Sequence, residues 1–180
     1  MFKHIPNLLT ILRLLLVPVF PVVYFSTTPN AMYYALGIFI VAGITDVLDG
    51  YIARKYQLTS VIGTALDPLA DKLMLLTALT CLYMSSHLPF IILVIMYIKE
   101  FTMMLTGVYM YFHKENVVVA SNLFGKLATV IFSLAVVLTM LLPHSQFHII
   151  LLYIALLFKL MAFTSYTLNF FRNAKKQMSA

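Results

Sequence analysis

The sequence contains few charged residues. They make up 10% of its 180 residues, whereas roughly a quarter is usual for a soluble domain. Hydrophobic residues account for 62%, and the mean hydropathy is +0.97. Because so few polar side chains cannot cover a globule, the composition excludes a water-soluble fold.

Cysteine, repeats and low-complexity tracts are also scarce or absent. The single cysteine, Cys81, cannot form an intramolecular disulfide, and its apolar surroundings indicate a small buried or lipid-facing residue. Nothing in the chain suggests a boundary between domains. We therefore expect one membrane domain covering residues 1–180.

Long hydrophobic runs fill most of the chain. Six apolar stretches of about 20 residues each are long enough to cross a bilayer as helices. Polar breaks separate them at residues 26–30, 54–57, 85–89, 113–116 and 143–146. The runs do not alternate apolar and polar residues as barrel strands do, and a helix satisfies its own backbone hydrogen bonds in lipid. The prediction is an all-α integral membrane protein with six transmembrane helices.

The start of the chain mixes polar and apolar residues. Lys3, His4, Asn7 and Arg13 interrupt the hydrophobic residues of segment 1–13. This pattern is typical of a helix lying in the membrane interface. We expect a short N-terminal interfacial helix, starting near Asn7, that leads into the first span.

The basic residues are distributed unevenly among the connections. The first, third and fifth connections contain no Lys or Arg, whereas the second and fourth connections and both termini are basic. The positive-inside rule then predicts that both termini are cytoplasmic in a cell-membrane protein. We attribute the net charge of +6 to topology and to attraction for anionic lipids, not to nucleic acid.

Acidic residues are rarer still, and they cluster. Of the six in the chain, four lie at the predicted cytoplasmic ends of the second and third spans: Asp46, Asp49, Asp67 and Asp71. Carboxylates at such positions are costly, and four together repel one another unless a cation neutralises them. Salt bridges to Arg54 and Lys72 are the structural alternative, but two cations do not balance four acids. All-oxygen ligands suit Mg²⁺ or Mn²⁺, so we predict a divalent-metal site.

Helical spacing places these acids on two faces. Asp46, Asp49, Gly50 and Arg54 share one face of the second span, and Gly63, Asp67 and Asp71 recur every four residues in the third. Pro68 suggests that Asp67 lies near a helix start or a kink.

These residues carry a resemblance to a known family. The pattern D-x2-D-G-x2-A-R-x8-G-x3-D-x3-D, from Asp46 to Asp71, resembles the CDP-alcohol phosphotransferase signature at all of its eight fixed positions. The chain length, the six predicted spans and the opening Pro6-Asn7-Leu8-Leu9-Thr10 with Arg13 are similar to the family as well.

The resemblance implies a dimeric enzyme that transfers a phosphatidyl group from CDP-diacylglycerol to an alcohol at the cytoplasmic face. It implies that two divalent cations are held by Asp46, Asp49, Asp67 and Asp71, and that Asp71 is also the general base. The residues implied to bind the CDP group are Asp46, Asp49, Gly50, Arg54, Gly63 and Asp67.

The acceptor alcohol is less clearly indicated. The opening motif and the segment Asp67-Pro68-Leu69-Ala70-Asp71-Lys72 resemble the phosphatidylglycerophosphate synthase branch, which uses glycerol 3-phosphate. That branch has Arg-Glu where this chain has Lys99-Glu100, and Gly-Lys-x-Lys-Thr where it has Gly125-Lys126-Leu127-Ala128-Thr129. The departures are similar to cardiolipin synthases, which use phosphatidylglycerol. We expect glycerol 3-phosphate, with cardiolipin synthesis as the alternative and a divalent-cation transporter as the alternative from another class.

Four residues are candidates for acceptor binding: Asn7, Arg13, Lys99 and Lys126. Lys99 and Glu100 could instead form an ion pair, and Lys126 could instead be a boundary anchor. Lys159 falls near the middle of the sixth span, where a bare charge is costly, and Glu100 is its candidate partner.

Overall fold

The computed structural model is helical throughout the part of the chain that it describes, residues 5–56, 61–113, 123–143 and 147–178. Within these ranges the side chains of residues 5–6, 54, 61–65, 68, 107–113, 123–124 and 166–178 are not described. The helices are α1 (Ile5–Tyr24), α2 (Ala31–Tyr56), α3 (Val61–Met84), α4 (Phe90–His113), α5 (Leu123–Leu141) and α6 (Phe147–Met178). The all-α class predicted from the sequence is confirmed.

The N-terminal helix differs from the prediction. Helix α1 runs without interruption from Ile5 to Tyr24, so the described residues contain no separate interfacial helix before the first span. Pro18 and Pro21 lie inside α1, where they do not end it. For residues 5–13 the expectation of a separate element was wrong, because these residues continue the helical periodicity of the apolar residues that follow them.

Three helices of the described chain are long and apolar enough to cross a membrane: Asn7–Tyr24 in α1, Ala31–Ala53 in α2 and Phe147–Ser165 in α6. A shorter apolar stretch, Gly125–Leu141, lies in α5. Large hydrophobic side chains are exposed along these helices, for example Val22, Val47 and Met161. Exposed apolar residues are stable when lipid rather than water surrounds them, so the chain has the character of a membrane protein.

The chain divides into two compact units, Met1–Pro89 and Phe90–Ala180. In the first, α1 packs against both α2 and α3, and α2 contacts α3. Phe20 of α1 lies 5.9 Å from Tyr24 and 6.4 Å from Phe39 of α2, measured between ring centroids. Such aromatic pairs typically contribute about 0.5–1.5 kcal/mol beyond their buried area. This packing holds α1 along the faces of α2 and α3 that carry the acidic residues.

Helix α3 excludes one of the two positions expected for Asp67, which were a helix start or a kink. It starts at Val61, so Asp67 and Pro68 lie inside the helix rather than at its start. In the second unit, α6 packs against α5 and α4. Its core contains Phe132, Met140 and Leu152, which are fully buried.

Candidate active site

The guanidinium of Arg13 joins three acidic residues of the first unit. Its Nη1 lies 2.7 Å from Oδ1 of Asp46, and its Nη2 donates to Oδ2 of Asp49. Nη1 also donates to the backbone carbonyl of Asp67 at 3.4 Å. Because Asp46 and Asp49 belong to α2 and Asp67 to α3, one side chain of α1 connects the two acidic helices.

Thr10 lies one helical turn before Arg13 on the same face of α1. Its hydroxyl donates to Oδ1 of Asp67. Residues three apart on a helix are neighbours, so Thr10 and Arg13 present adjacent polar groups to the acidic faces. Both are buried, with 1% of each residue exposed. A buried arginine within an apolar helix requires carboxylate partners, and these contacts supply them.

The four signature carboxylates influence one another electrostatically. Asp46 is repelled by Asp49, Asp67 and Asp71 and attracted by Arg13. Burial differs between the two acids that Arg13 contacts: the side chain of Asp46 is 40% exposed and that of Asp49 only 3%. The acids of α2 and α3 therefore lie close enough to act on one another.

Arg13 of α1 supplies a positive charge that the sequence interpretation did not place beside these acids. Among the side chains described, no three His, Cys, Asp or Glu residues lie in an arrangement that would hold a metal ion. The donor chemistry nevertheless fits divalent cations, because the aspartates supply hard carboxylate oxygens and repel one another.

Other predicted residues fall in several places. Gly50 follows Asp49 on α2, and Asn7 lies on α1 ahead of Thr10. The predicted sites at Arg54 and Gly63 lie outside the residues whose surroundings the structure describes. Lys126 belongs to α5 and is exposed.

A second buried group of charges lies in the other unit. Lys99 Nζ is 2.7 Å from Oε1 of its neighbour Glu100, and Lys159 Nζ of α6 is 3.5 Å from the same oxygen. Lys159 also lies over the ring of Phe132, 4.6 Å from its centroid. The structure thus places Lys99 in the ion pair that was considered for it and Lys159 beside its candidate partner Glu100. Cation–π contact and ion pairing together stabilise a charge that would be costly in a span.

Replacing Glu100 by Gln should destabilise the protein strongly. Both lysines contact this carboxylate, and losing one partner of a buried ion pair typically costs about 3–5 kcal/mol. Thermal unfolding of the purified protein in detergent would measure the loss. The exposed Lys126→Gln is the control, expected to change stability by less than about 0.5 kcal/mol. Equal stability of the Glu100 variant and the wild type would contradict the structural importance of this group.

The roles of Thr10 and Arg13 at the acidic faces were missed by the sequence interpretation, which assigned Arg13 to the acceptor. One signal could have indicated them: a charged residue inside an apolar helix needs a counter-charge, and the nearest surplus of negative charge is the signature cluster. The sequence does not say which helix packs against the acids.

Comparison with known proteins identifies the family. The model of the CDP-alcohol phosphatidyltransferase family matches residues 3–161. A CDP-diacylglycerol–glycerol-3-phosphate 3-phosphatidyltransferase of Wigglesworthia glossinidia brevipalpis is 36% identical over 135 residues, covering 74% of each chain. The enzyme of that name from Bacillus subtilis is 33% identical over 138 residues, 70% of each chain.

A relative with another activity is also similar. A cardiolipin synthase (CMP-forming)/mitochondrial hydrolase fusion protein of Schizosaccharomyces pombe is 45% identical over 85 residues, which cover 47% of this chain and 14% of the fusion protein. The family match extends over both helical units, from α1 into α6, and includes the acids that Arg13 and Thr10 contact. The chain therefore belongs to the CDP-alcohol phosphatidyltransferase family.

Proposed function

We propose that the protein is a phospholipid-synthesising transferase that moves the phosphatidyl group of CDP-diacylglycerol to glycerol 3-phosphate, with release of CMP. The observation that carries this proposal is the position of Arg13 between the signature segments of α2 and α3, where its guanidinium contacts the carboxylates of Asp46 and Asp49 and the backbone carbonyl of Asp67. Relatives named for the glycerol 3-phosphate reaction align over about 70% of the chain and support the choice of acceptor.

The proposed cofactors are two divalent cations, Mg²⁺ or Mn²⁺, held by Asp46, Asp49, Asp67 and Asp71. When bound, the cations would stabilise the negative charge that builds up on the pyrophosphate and on departing CMP. The carboxylates supply hard oxygen donors, and the mutual repulsion felt by Asp46 supplies a reason to bind cations.

The chain's own residues divide the remaining work. Gly50, Arg54 and Gly63, together with Asp46, Asp49 and Asp67, would contact the CDP group. Asp71 would accept the proton of the acceptor hydroxyl. The hydroxyl oxygen would then bond to the phosphatidyl phosphorus while the phosphorus–oxygen bond to CMP breaks. No further reactant is needed, because the proton and the leaving group balance.

For the acceptor phosphate we propose contacts from Lys99, Lys126 and Asn7. Lys99 and Lys159 place two positive charges beside the single carboxylate of Glu100, which favours an anion in their vicinity. Arg13 was predicted to contact the acceptor as well. Its terminal nitrogens contact acidic residues instead, so we assign it the different role argued below.

The membrane arrangement remains as the sequence predicts it. We propose six spans, both termini in the cytoplasm, an active site at the cytoplasmic face of the cell membrane, and a homodimer. The absence of Lys and Arg from alternate connections supports the orientation.

Cardiolipin synthesis from phosphatidylglycerol is the second candidate. It is favoured by Lys99 in place of the expected arginine, which loses bidentate phosphate contact, and by the absence of the second lysine after Lys126. The Schizosaccharomyces pombe relative, named as a cardiolipin synthase, supports it too.

A transfer assay with paired acceptors tests the proposal. Purified protein receives labelled CDP-diacylglycerol with glycerol 3-phosphate or with phosphatidylglycerol, and the lipid product and CMP are identified. We expect phosphatidylglycerophosphate, no product in EDTA, and recovery on adding Mg²⁺ or Mn²⁺. Cardiolipin as the exclusive product would establish the second candidate, whereas cation uptake by liposomes without CMP formation would favour a transporter.

A further inference from the structure

Among the fully buried side chains of the described residues, the charged side chain of Arg13 is the largest. It shows 1% exposure on an apolar helix, yet its guanidinium reaches two carboxylates and a carbonyl of neighbouring helices. A charge at such a position is stable only with close partners of opposite sign. Arg13 is therefore held in place by the acidic residues, and they are held in place by it.

The fit between Arg13 and the acids is incomplete. Its Nε is buried without a hydrogen-bond partner among the described residues. A buried unsatisfied donor is unfavourable, so part of the gain from the two ion pairs is lost. A contact of this kind can exchange for another more readily than a fully satisfied one.

Arg13 contacts one oxygen of each of two carboxylates that we propose as metal ligands. Oδ1 of Asp46 and Oδ2 of Asp49 each lie against a guanidinium nitrogen. Asp46 is also the more exposed of the two, which leaves it open to solution. One carboxylate oxygen cannot give its full charge to Arg13 and to a divalent cation at once.

We propose that Arg13 is a tethered counter-cation that holds Asp46 and Asp49 of α2 beside the backbone of Asp67 in α3 before divalent cations bind, and that it competes with those cations for Asp46 and Asp49. The proposal rests on the metal site of the proposed function. It makes Arg13 a positioning residue of the empty site rather than a contact for the acceptor. Removing it should therefore harm the metal-free protein more than the metal-loaded one.

The test compares unfolding temperatures of the full-length wild type and Arg13→Met, each in EDTA and in excess Mn²⁺. In EDTA we expect the variant to unfold about 10 °C below the wild type, because the acids repel without their partner. In Mn²⁺ the difference in unfolding temperature between the two proteins should fall to about half or less. Mn²⁺ should bind more tightly to the variant, and a ligand that binds more tightly to the folded protein stabilises it more. Direct titration with Mn²⁺, followed by electron paramagnetic resonance, should accordingly show tighter binding to the variant.

Two controls separate charge from packing. Thr10→Val removes a hydroxyl that contacts Asp67 from the same face of α1 but leaves the charges unchanged. Lys159→Met removes a buried cation from the other unit, which holds none of the signature acids. Each should lower the unfolding temperature equally in EDTA and in Mn²⁺.

If Arg13→Met does not fold in EDTA, the double variant Arg13→Met/Asp46→Asn provides the answer. Removing one acid reduces the repulsion, so the double variant should be more stable in EDTA than the single one. Failure of that compensation would overturn the proposal.

The remaining outcomes are distinct. A temperature difference that is the same in EDTA and Mn²⁺ would overturn the competition proposed for Arg13 and leave the metal site intact. Mn²⁺ that stabilises neither protein would overturn both the inference and the proposed metal site.

Discussion

Replacing Asp71 by Asn is expected to reduce phosphatidyl transfer by about 10²–10⁴-fold, the usual contribution of a general base. Asn cannot accept the proton of the acceptor hydroxyl, and it is a weaker ligand for a divalent cation. The readout is the rate of CMP release from CDP-diacylglycerol in the presence of glycerol 3-phosphate and Mg²⁺. It should be measured at saturating metal, so that weaker metal binding does not hide the effect on the chemical step.

The same variant should stay folded. Asp71 contributes to the repulsion acting on Asp46, so a neutral side chain relieves part of that repulsion. We expect an unfolding temperature equal to or above that of the wild type, and stabilisation by CDP-diacylglycerol that is largely retained. A variant that turns over normally would refute the base assignment, whereas one that does not fold would refute the electrostatic argument.

Asp49→Asn is expected to have the largest effect on stability among the signature acids. The side chain is 3% exposed and accepts from Nη2 of Arg13, so the change removes one partner of a buried ion pair. Such losses typically cost about 3–5 kcal/mol of the free energy of unfolding. Because Arg13 keeps its contact with Asp46, we expect a loss of about 3 kcal/mol. Unfolding in detergent without added metal would measure it.

Asp46→Asn is the matched control for this prediction. It removes the same chemical group one turn away on the same helix and breaks a contact with the same guanidinium, but 40% of the side chain is exposed. Solvent screens the interaction, so the loss should be clearly smaller. Both variants should lose transfer activity. Equal destabilisation would mean that burial does not determine how strongly each acid holds Arg13.

Several features were predictable because they depend on local pattern or on composition. Long apolar runs can satisfy their backbone only as helices in lipid, so the six helices followed from hydropathy. The spacing of Asp46, Asp49, Asp67 and Asp71 indicated two acidic faces, and their shared charge indicated a need for cations. Glu100 was a candidate partner of Lys159 for the same reason, since each would be unstable alone, and the structure places the two charged groups 3.5 Å apart.

Element ends were less predictable. Residues 5–13 belong to α1, and α3 begins at Val61, ahead of Asp67 and Pro68. Polar residues and proline are weak stop signals in a helix whose neighbours supply the missing hydrogen bonds. Local sequence cannot reveal those neighbours.

By itself, then, the sequence determined the class of the protein, the helical spacing of its acids and the family to which they point. Only the tertiary structure showed that the Arg13 side chain contacts these acids. Arg13 lies far along the chain from Asp49 and Asp67, and its role depends on how α1 packs against α2 and α3. Charge balance requires that the buried aspartates have a positively charged partner. The packing of apolar helix surfaces determines which residue it is, because that packing brings residues that are distant in sequence within a few ångströms of each other.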